Sequence, residues 1–107
     1  MKGRHPRVPR EDFPSLFSSG RRAGGRFMTL IGDSSKSGDA VVVSKKAAAS
    51  AVARNRLRRV IRAALREGGG HIGAVVALVR PEAAAAPARA LREEALRLLA
   101  RVSEPPR

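Results

Sequence analysis

The chain has 107 residues, enough for one modest core and not for a second. It carries 22 Lys and Arg against 9 Asp and Glu, a formal net charge of +13, which opposes compaction and points to a polyanionic partner, nucleic acid first and an anionic membrane surface second. With no cysteine there is no disulfide framework or thiolate zinc site. The start Met1-Lys2-Gly3-Arg4-His5-Pro6 has no apolar h-region, and no run approaches the about 20 apolar residues of a membrane span, so a cytoplasmic location without a membrane partner is expected.

Residues 1–9 are basic and carry Pro6 and Pro9, which predicts an irregular arm. A short helix is expected from Arg10 to Ser19. Glu11 and Asp12 would sit in its first turn, where the dipole favours acids, with Pro14 near the start and Gly20 as the stop. Arg26 to Ile31 reads as a strand, and Gly32 to Gly38 as a polar turn. Ala40-Val41-Val42-Val43 is continuously apolar and β-branched, the pattern of a buried strand, and Ser44-Lys45-Lys46 leaves it.

The clearest element is the next helix. Leu57, Val60, Ile61, Ala64 and Leu65 recur at the i, i+3, i+4, i+7, i+8 spacing of one buried face. Ser50 can cap its start, and Gly68-Gly69-Gly70 ends it. Ile72 to Val79 predicts a second buried strand. A last helix is expected from Pro87 to Val102, with Leu91, Ala95, Leu98, Leu99 and Val102 on its apolar face. The alanines Ala83 to Ala86 either extend that helix or form a linker, and residues 103–107 form a tail. The expected architecture is one domain over residues 1–107. It is an α+β two-layer sandwich in which a small mixed β-sheet packs with about three helices.

Chemistry concentrates in Arg54-Asn55-Arg56-Leu57-Arg58-Arg59-Val60-Ile61-Arg62-Ala63-Ala64-Leu65-Arg66. At 100° per residue Asn55, Arg58, Arg59, Arg62 and Arg66 fall opposite the apolar stripe, and Arg54 and Arg56 flank it. A solvated helix face normally mixes signs. Here Arg54–Arg58, Arg58–Arg62 and Arg62–Arg66 are like-charged pairs, each costing about 0.2–0.5 kcal/mol in an isolated helix. Guanidinium forks match phosphate oxygens, so the row reads as a phosphate-binding face.

Lys45 and Lys46 form a second basic element, either a binding loop at the end of a strand or a solubilising pair. Phe13 and Phe17 lie four residues apart on the first helix. They are either core or a platform on which single-stranded bases stack, and they are two of only three aromatics in the chain. His5 and His71 stand alone, the acids form no recognisable pair, and no nucleophile has an activating base in sequence context. The sequence therefore offers no catalytic group of its own.

Several of these segments, in order and along nearly the whole chain, resemble the bacterial ribonuclease P protein family. Arg10-Glu11-Asp12-Phe13 with Phe17 and Gly20-Arg21-Arg22 is similar to that family's first helix and following turn. Val42-Val43-Ser44-Lys45-Lys46 is similar to its central strand, Arg54-Asn55-Arg56-Leu57-Arg58-Arg59 to its signature helix, and Val75 to Arg80-Pro81 to the next strand and its exit. Three places depart from the family pattern. Thr29, Leu30 and Ile31 stand where an aromatic is frequent, Gly38-Asp39-Ala40 replaces Arg-x-Gly, and Ala47 to Ser50 lacks a glycine.

The resemblance implies a left-handed βαβ crossover, against the usual hand. It also implies a protein that assists a catalytic RNA in removing the 5′ leader of precursor tRNA. On this reading Phe13 and Phe17 belong to a leader cleft. Arg54, Asn55, Arg56, Arg58, Arg59, Arg62 and Arg66 form the signature RNA-binding helix, and Lys45 and Lys46 a basic loop. The implied partners are the ribonuclease P RNA and precursor tRNA, with no obligate protein partner. Magnesium would be bound mainly by the RNA and none tightly by the protein, with Asn55 a residue that could reach a hydrated ion. Two other functions stay open on the residues alone. One is a structural RNA-binding protein of ribosomal type. The other is a non-specific DNA-binding protein, for which no helix-turn-helix or zinc-finger pattern is present.

Overall fold

The computed structural model describes residues 8, 11, 13–33, 38–68 and 73–103. The expected arm (apart from Val8), Asp12, the middle of the polar turn, Gly69 to Ile72 and the end of the tail lie outside the described residues. The elements run α1 (Phe13–Ser19), β1 (Arg21–Gly24), β2 (Met28–Asp33), β3 (Asp39–Val42), α2 (Ala51–Glu67), β4 (Ala74–Val79), a 3₁₀ turn (Pro81–Ala85) and α3 (Ala88–Ser103). They form the expected mixed α+β fold. The sheet order is β1-β2-β4-β3, with β1–β2 and β2–β4 antiparallel and β3–β4 parallel. Parallel neighbours need a crossover, and α2 provides it.

Strand alternation sorts the side chains onto two faces. Met28, Leu30, Val41, Val43, Val75, Ala77 and Val79 meet Leu57, Ile61, Ala64 and Leu65 of α2 and Leu91, Ala95, Leu98, Leu99 and Val102 of α3 in the main core. Ile31, Ala74 and Val76 point the other way and are covered by Leu16 of α1 and by Val8, whose N–H donates to the Asp39 carbonyl at the β3 edge. α1 is only seven residues long and covers only part of this face. The row Thr29, Leu78, Val42, aligned across three strands, is left partly or fully open.

Four readings are corrected. Val42 is exposed, because β3 is an edge strand buried on one face, and continuous apolarity did not mean burial on both. Arg21–Gly24 is a strand that its Arg-Arg-Ala-Gly sequence does not announce, since only Ala23 points into the core. The first helix begins at Phe13 with no acid in its first turn, and Glu11 precedes it. The alanine run neither extends α3 nor stays irregular: most of it forms the 3₁₀ turn, with Ala83 and Ala86 buried. For α2 the expected cap is present. The Ser50 side chain accepts from the Ala53 N–H at 3.0 Å. Gly68, read as a stop, also provides clearance, because a Cβ there would lie 2.4 Å from Leu99 Cδ2.

One interaction spans the chain. Glu94 of α3 is buried, and its carboxylate accepts backbone N–H groups of Arg26, Phe27 and Met28 at 2.8, 2.7 and 3.0 Å. These are the donors of the turn that joins β1 to β2. Gly25 is required beside it, since a Cβ would meet the Glu94 carboxyl carbon at 2.4 Å. Near the C-terminal end of α2, Glu67 pairs with Arg92 of α3 through two hydrogen bonds, which hold the Glu67 carboxyl below the ordinary range. Any stability from that strap is present above the ordinary Glu range and is lost as acid protonates Glu67. Both groups are exposed, so the contribution is small. No helix among the described residues is long and apolar enough to cross a membrane.

Glu94→Ala leaves three backbone donors without their acceptor and should destabilise the protein by about 3 kcal/mol or more, with Glu94→Gln losing less. Urea denaturation followed by circular dichroism measures both. Stability within about 0.5 kcal/mol of wild type for the alanine variant would show that water replaces the carboxylate without penalty.

Candidate nucleic-acid interface

The apolar stripe of α2 fixes which way its other side faces. With Leu57, Ile61, Ala64 and Leu65 in the core, the opposite face turns toward the β3 edge. There a groove of about 960 Å³ opens between α2, β3 and α1. Asn55, Arg58, Arg59, Ala63, Arg62 and Arg66 form one wall, Ala40, Val41 and Val42 of β3 the floor, and Phe13 with Val8 the other side. One wall is thus cationic, and the floor is apolar and open.

The arginines divide into distinct environments. Arg54 Nη1 donates to the carbonyls of Ala48 and Ala49 at 3.0 and 2.9 Å, closing the loop before the helix. Arg56 Nη2 donates to the Ala86 carbonyl at 3.1 Å and ties α2 to the segment before α3. Both hold backbone and stand outside the groove wall. Arg58 Nη1 donates to Asn55 Oδ1 at 3.1 Å, which links two polar residues of the groove wall. Arg59 is exposed, and its side chain makes no ion pair among the described residues. Arg62 and Arg66 approach the buried carboxylate of Asp39, with Nε atoms 3.6 and 3.7 Å from Oδ1 and Oδ2. Sequence periodicity places the row correctly but does not reveal Asp39 beneath it.

Lys45 and Lys46 are both exposed in the turn between β3 and α2, outside the groove lining. That turn is held by Ser44, whose carbonyl accepts the N–H groups of Ala47 and Ala48 and whose Oγ accepts the N–H of Ala47 at 3.2 Å. Phe13 and Phe17 stack at 5.9 Å between centroids with 26° between planes. Phe13 is half-buried against the small core and lines the groove, while Phe17 is 39% exposed beyond it. The pair therefore serves packing through one ring and presents the other to solvent. On β2, where the expected aromatic is absent, Thr29 Oγ1 accepts from Arg80 Nη2 at 2.7 Å on the open face. His5 and His71 lie outside the described residues. Among those described, no group of three or more His, Cys, Asp or Glu could hold a metal ion.

Fold and groove define a class of small, strongly basic α+β proteins in which a half-covered sheet and an arginine-rich crossover helix enclose one cationic groove. Residues 4–103 match the Ribonuclease P family, and the chain belongs to that family. A ribonuclease P protein component from Microcystis aeruginosa is 40% identical over 65 residues, a match that spans 54% of each chain, so the chain spans about half the length of that relative. The RNase P protein from Thermotoga maritima superposes with a TM-score of 0.78 at 23% identity, over 94% of this chain and 100% of that one. The Staphylococcus aureus RNase P protein gives 0.78 at 19% identity, over 94% and 99%. These two likenesses describe the fold.

Only the folded state brings the groove cations together, so a multivalent anion should stabilise it by mass action, about 2.7 kcal/mol at a hundredfold excess over Kd. At equal ionic strength the melting midpoint in sulfate should exceed that in chloride. Equal midpoints would mean that the groove holds no preformed anion site and that only screening acts.

Proposed function

We propose that this chain is the protein subunit of ribonuclease P. It binds the catalytic RNA and the single-stranded 5′ leader of precursor tRNA, and it assists endonucleolytic removal of that leader. The observation that carries this reading is the groove itself, an arginine wall facing an open apolar strand with an aromatic on its far side. A single strand presents phosphates along one edge and unpaired bases along the other. The wall suits the phosphates, and Val42 and Phe13 in the groove, continued outside it by Leu78 and Thr29 on the open face and by Phe17, suit the bases. A duplex has no unstacked bases to offer such a floor.

Phosphodiester hydrolysis belongs to the RNA in this reading. Hard divalent cations take oxygen ligands. The groove wall instead offers guanidinium groups, with Asn55 its one amide, and that amide oxygen already accepts from Arg58. These residues do not fit a magnesium site held by the protein, and no step is assigned to a metal on this chain. Asn55 could meet only the water shell of an ion that the RNA carries. Lys45 and Lys46, at the end of β3, extend the cationic path toward the RNA subunit.

Two measurements test the proposal. Phe17→Ala should weaken binding of precursor tRNA by several-fold, with little change for mature tRNA and little loss of stability, because the Phe17 ring is already partly exposed. Equal loss for both RNAs would remove the leader from the account. Arg58→Ala and Arg59→Ala should each lower the salt dependence of precursor-tRNA affinity by somewhat under ~1 in log–log slope, the signature of one lost phosphate contact. Unchanged slopes in both would contradict phosphate binding by this wall.

A further inference from the structure

Asp39 begins β3 with only 1% of its surface exposed, and by strand alternation it points with Val41 toward α2. Its two oxygens face Arg62 Nε at 3.6 Å and Arg66 Nε at 3.7 Å, and neither oxygen has a hydrogen-bond partner among the described residues. Buried carboxylates are ordinarily both paired and hydrogen-bonded, because desolvation otherwise exceeds the attraction. Here charge balance alone holds the group.

That distinction decides what Asp39 does. Contacts of this length without a hydrogen bond constrain two long side chains only weakly. Coulomb attraction falls off slowly with distance and persists. The effect of Asp39 on the two arginines is therefore electrostatic more than geometric. Both arginines also line the groove, one and two turns beyond Arg58 and Arg59. A phosphate entering at that end meets guanidinium groups that already face an anion, whereas at the Asn55 end it does not.

We propose that Asp39 is an internal counter-ion that competes with nucleic-acid phosphate for Arg62 and Arg66. It thereby sets the affinity of the groove and shifts its tight phosphate contacts toward Arg58 and Arg59. This rests on the reading of the groove as a single-strand site. In the free protein the same carboxylate relieves repulsion between two arginines four residues apart on α2.

The test uses the full chain and a labelled oligouridylate of about ten nucleotides, within the range of single-strand site sizes. Asp39→Asn and Asp39→Val remove the same charge but differ in polarity and shape, so an effect common to both reports the charge. Each should bind the probe tighter, on the order of 3- to 10-fold at low salt, as expected for removing one nearby unit charge at high effective dielectric. The gain should shrink as salt rises and should be reduced in an Arg66→Ala background, where Arg62 alone still faces the carboxylate. Glu67→Gln makes the same charge change at the exposed Arg92 pair and should stay within about twofold of wild type.

Folding of each variant is checked by circular dichroism, and either folded variant suffices. Binding equal to or weaker than wild type would overturn the proposal and leave Asp39 a structural or positioning group. If Arg58→Ala and Arg59→Ala weaken binding while the Asp39 variants bring no gain, only this inference fails. If neither arginine variant weakens binding, the groove reading itself fails.

Discussion

The burial of Leu57, Ile61, Ala64 and Leu65 fixes the rotation of α2 about its own axis, and what the groove offers follows from that rotation. Burying each large aliphatic side chain contributes about 1.5–3 kcal/mol. Each like-charged pair along the helix costs only about 0.2–0.5 kcal/mol. Core packing therefore wins over repulsion by a wide margin, and the arginines are carried to the β3 edge whether or not an anion is there. A helix that joins two parallel strands also has to lie across the sheet, so one element closes the core and builds the cationic wall of the groove.

The other half of the site comes from incomplete coverage. α2 and α3 fill one face of the sheet, but α1 reaches only the Ile31, Ala74 and Val76 side of the other. Val42 and Leu78 remain accessible beside Phe13, and the edge strand gives the groove its floor. Arg54 and Arg56 show how the same residue type is used in two ways. Projecting from the flanks of α2, they satisfy carbonyls of neighbouring loops, and the rigidity they add keeps the wall aligned with the floor. Glu94 does the equivalent work for the sheet by anchoring the β1–β2 turn to α3.

Local patterns made much of this legible in the sequence. The stripe on α2, its Ser50 cap, the two valine-rich strands and the apolar face of α3 are encoded by spacing within a few residues, and each is present. What the sequence concealed depends on contacts between distant segments. Glu94 meets the β1–β2 turn across 66 to 68 residues, and nothing around it distinguishes it from the neighbouring Glu93. Asp39 falls between the expected turn and the expected strand, and only the β3–β4 register and the crossover set it beneath Arg62 and Arg66. β1 was missed because an edge strand with one inward residue has no alternation to read. Arg54 and Arg56, grouped with the other α2 arginines by type, separate from them only once the loops they hold are in place.

The account rests on a groove that accepts a single strand, and dependence on leader length measures that directly. Precursor tRNAs whose 5′ leaders grow one nucleotide at a time would be titrated against this protein mixed with a ribonuclease P RNA. Affinity should climb over the first several nucleotides, as the groove fills, and then level off. The same series with Arg58 and Arg59 both replaced by alanine should climb much less. An affinity that does not change from the shortest leader to the longest would contradict the account and would leave this basic wall without a role in holding the leader.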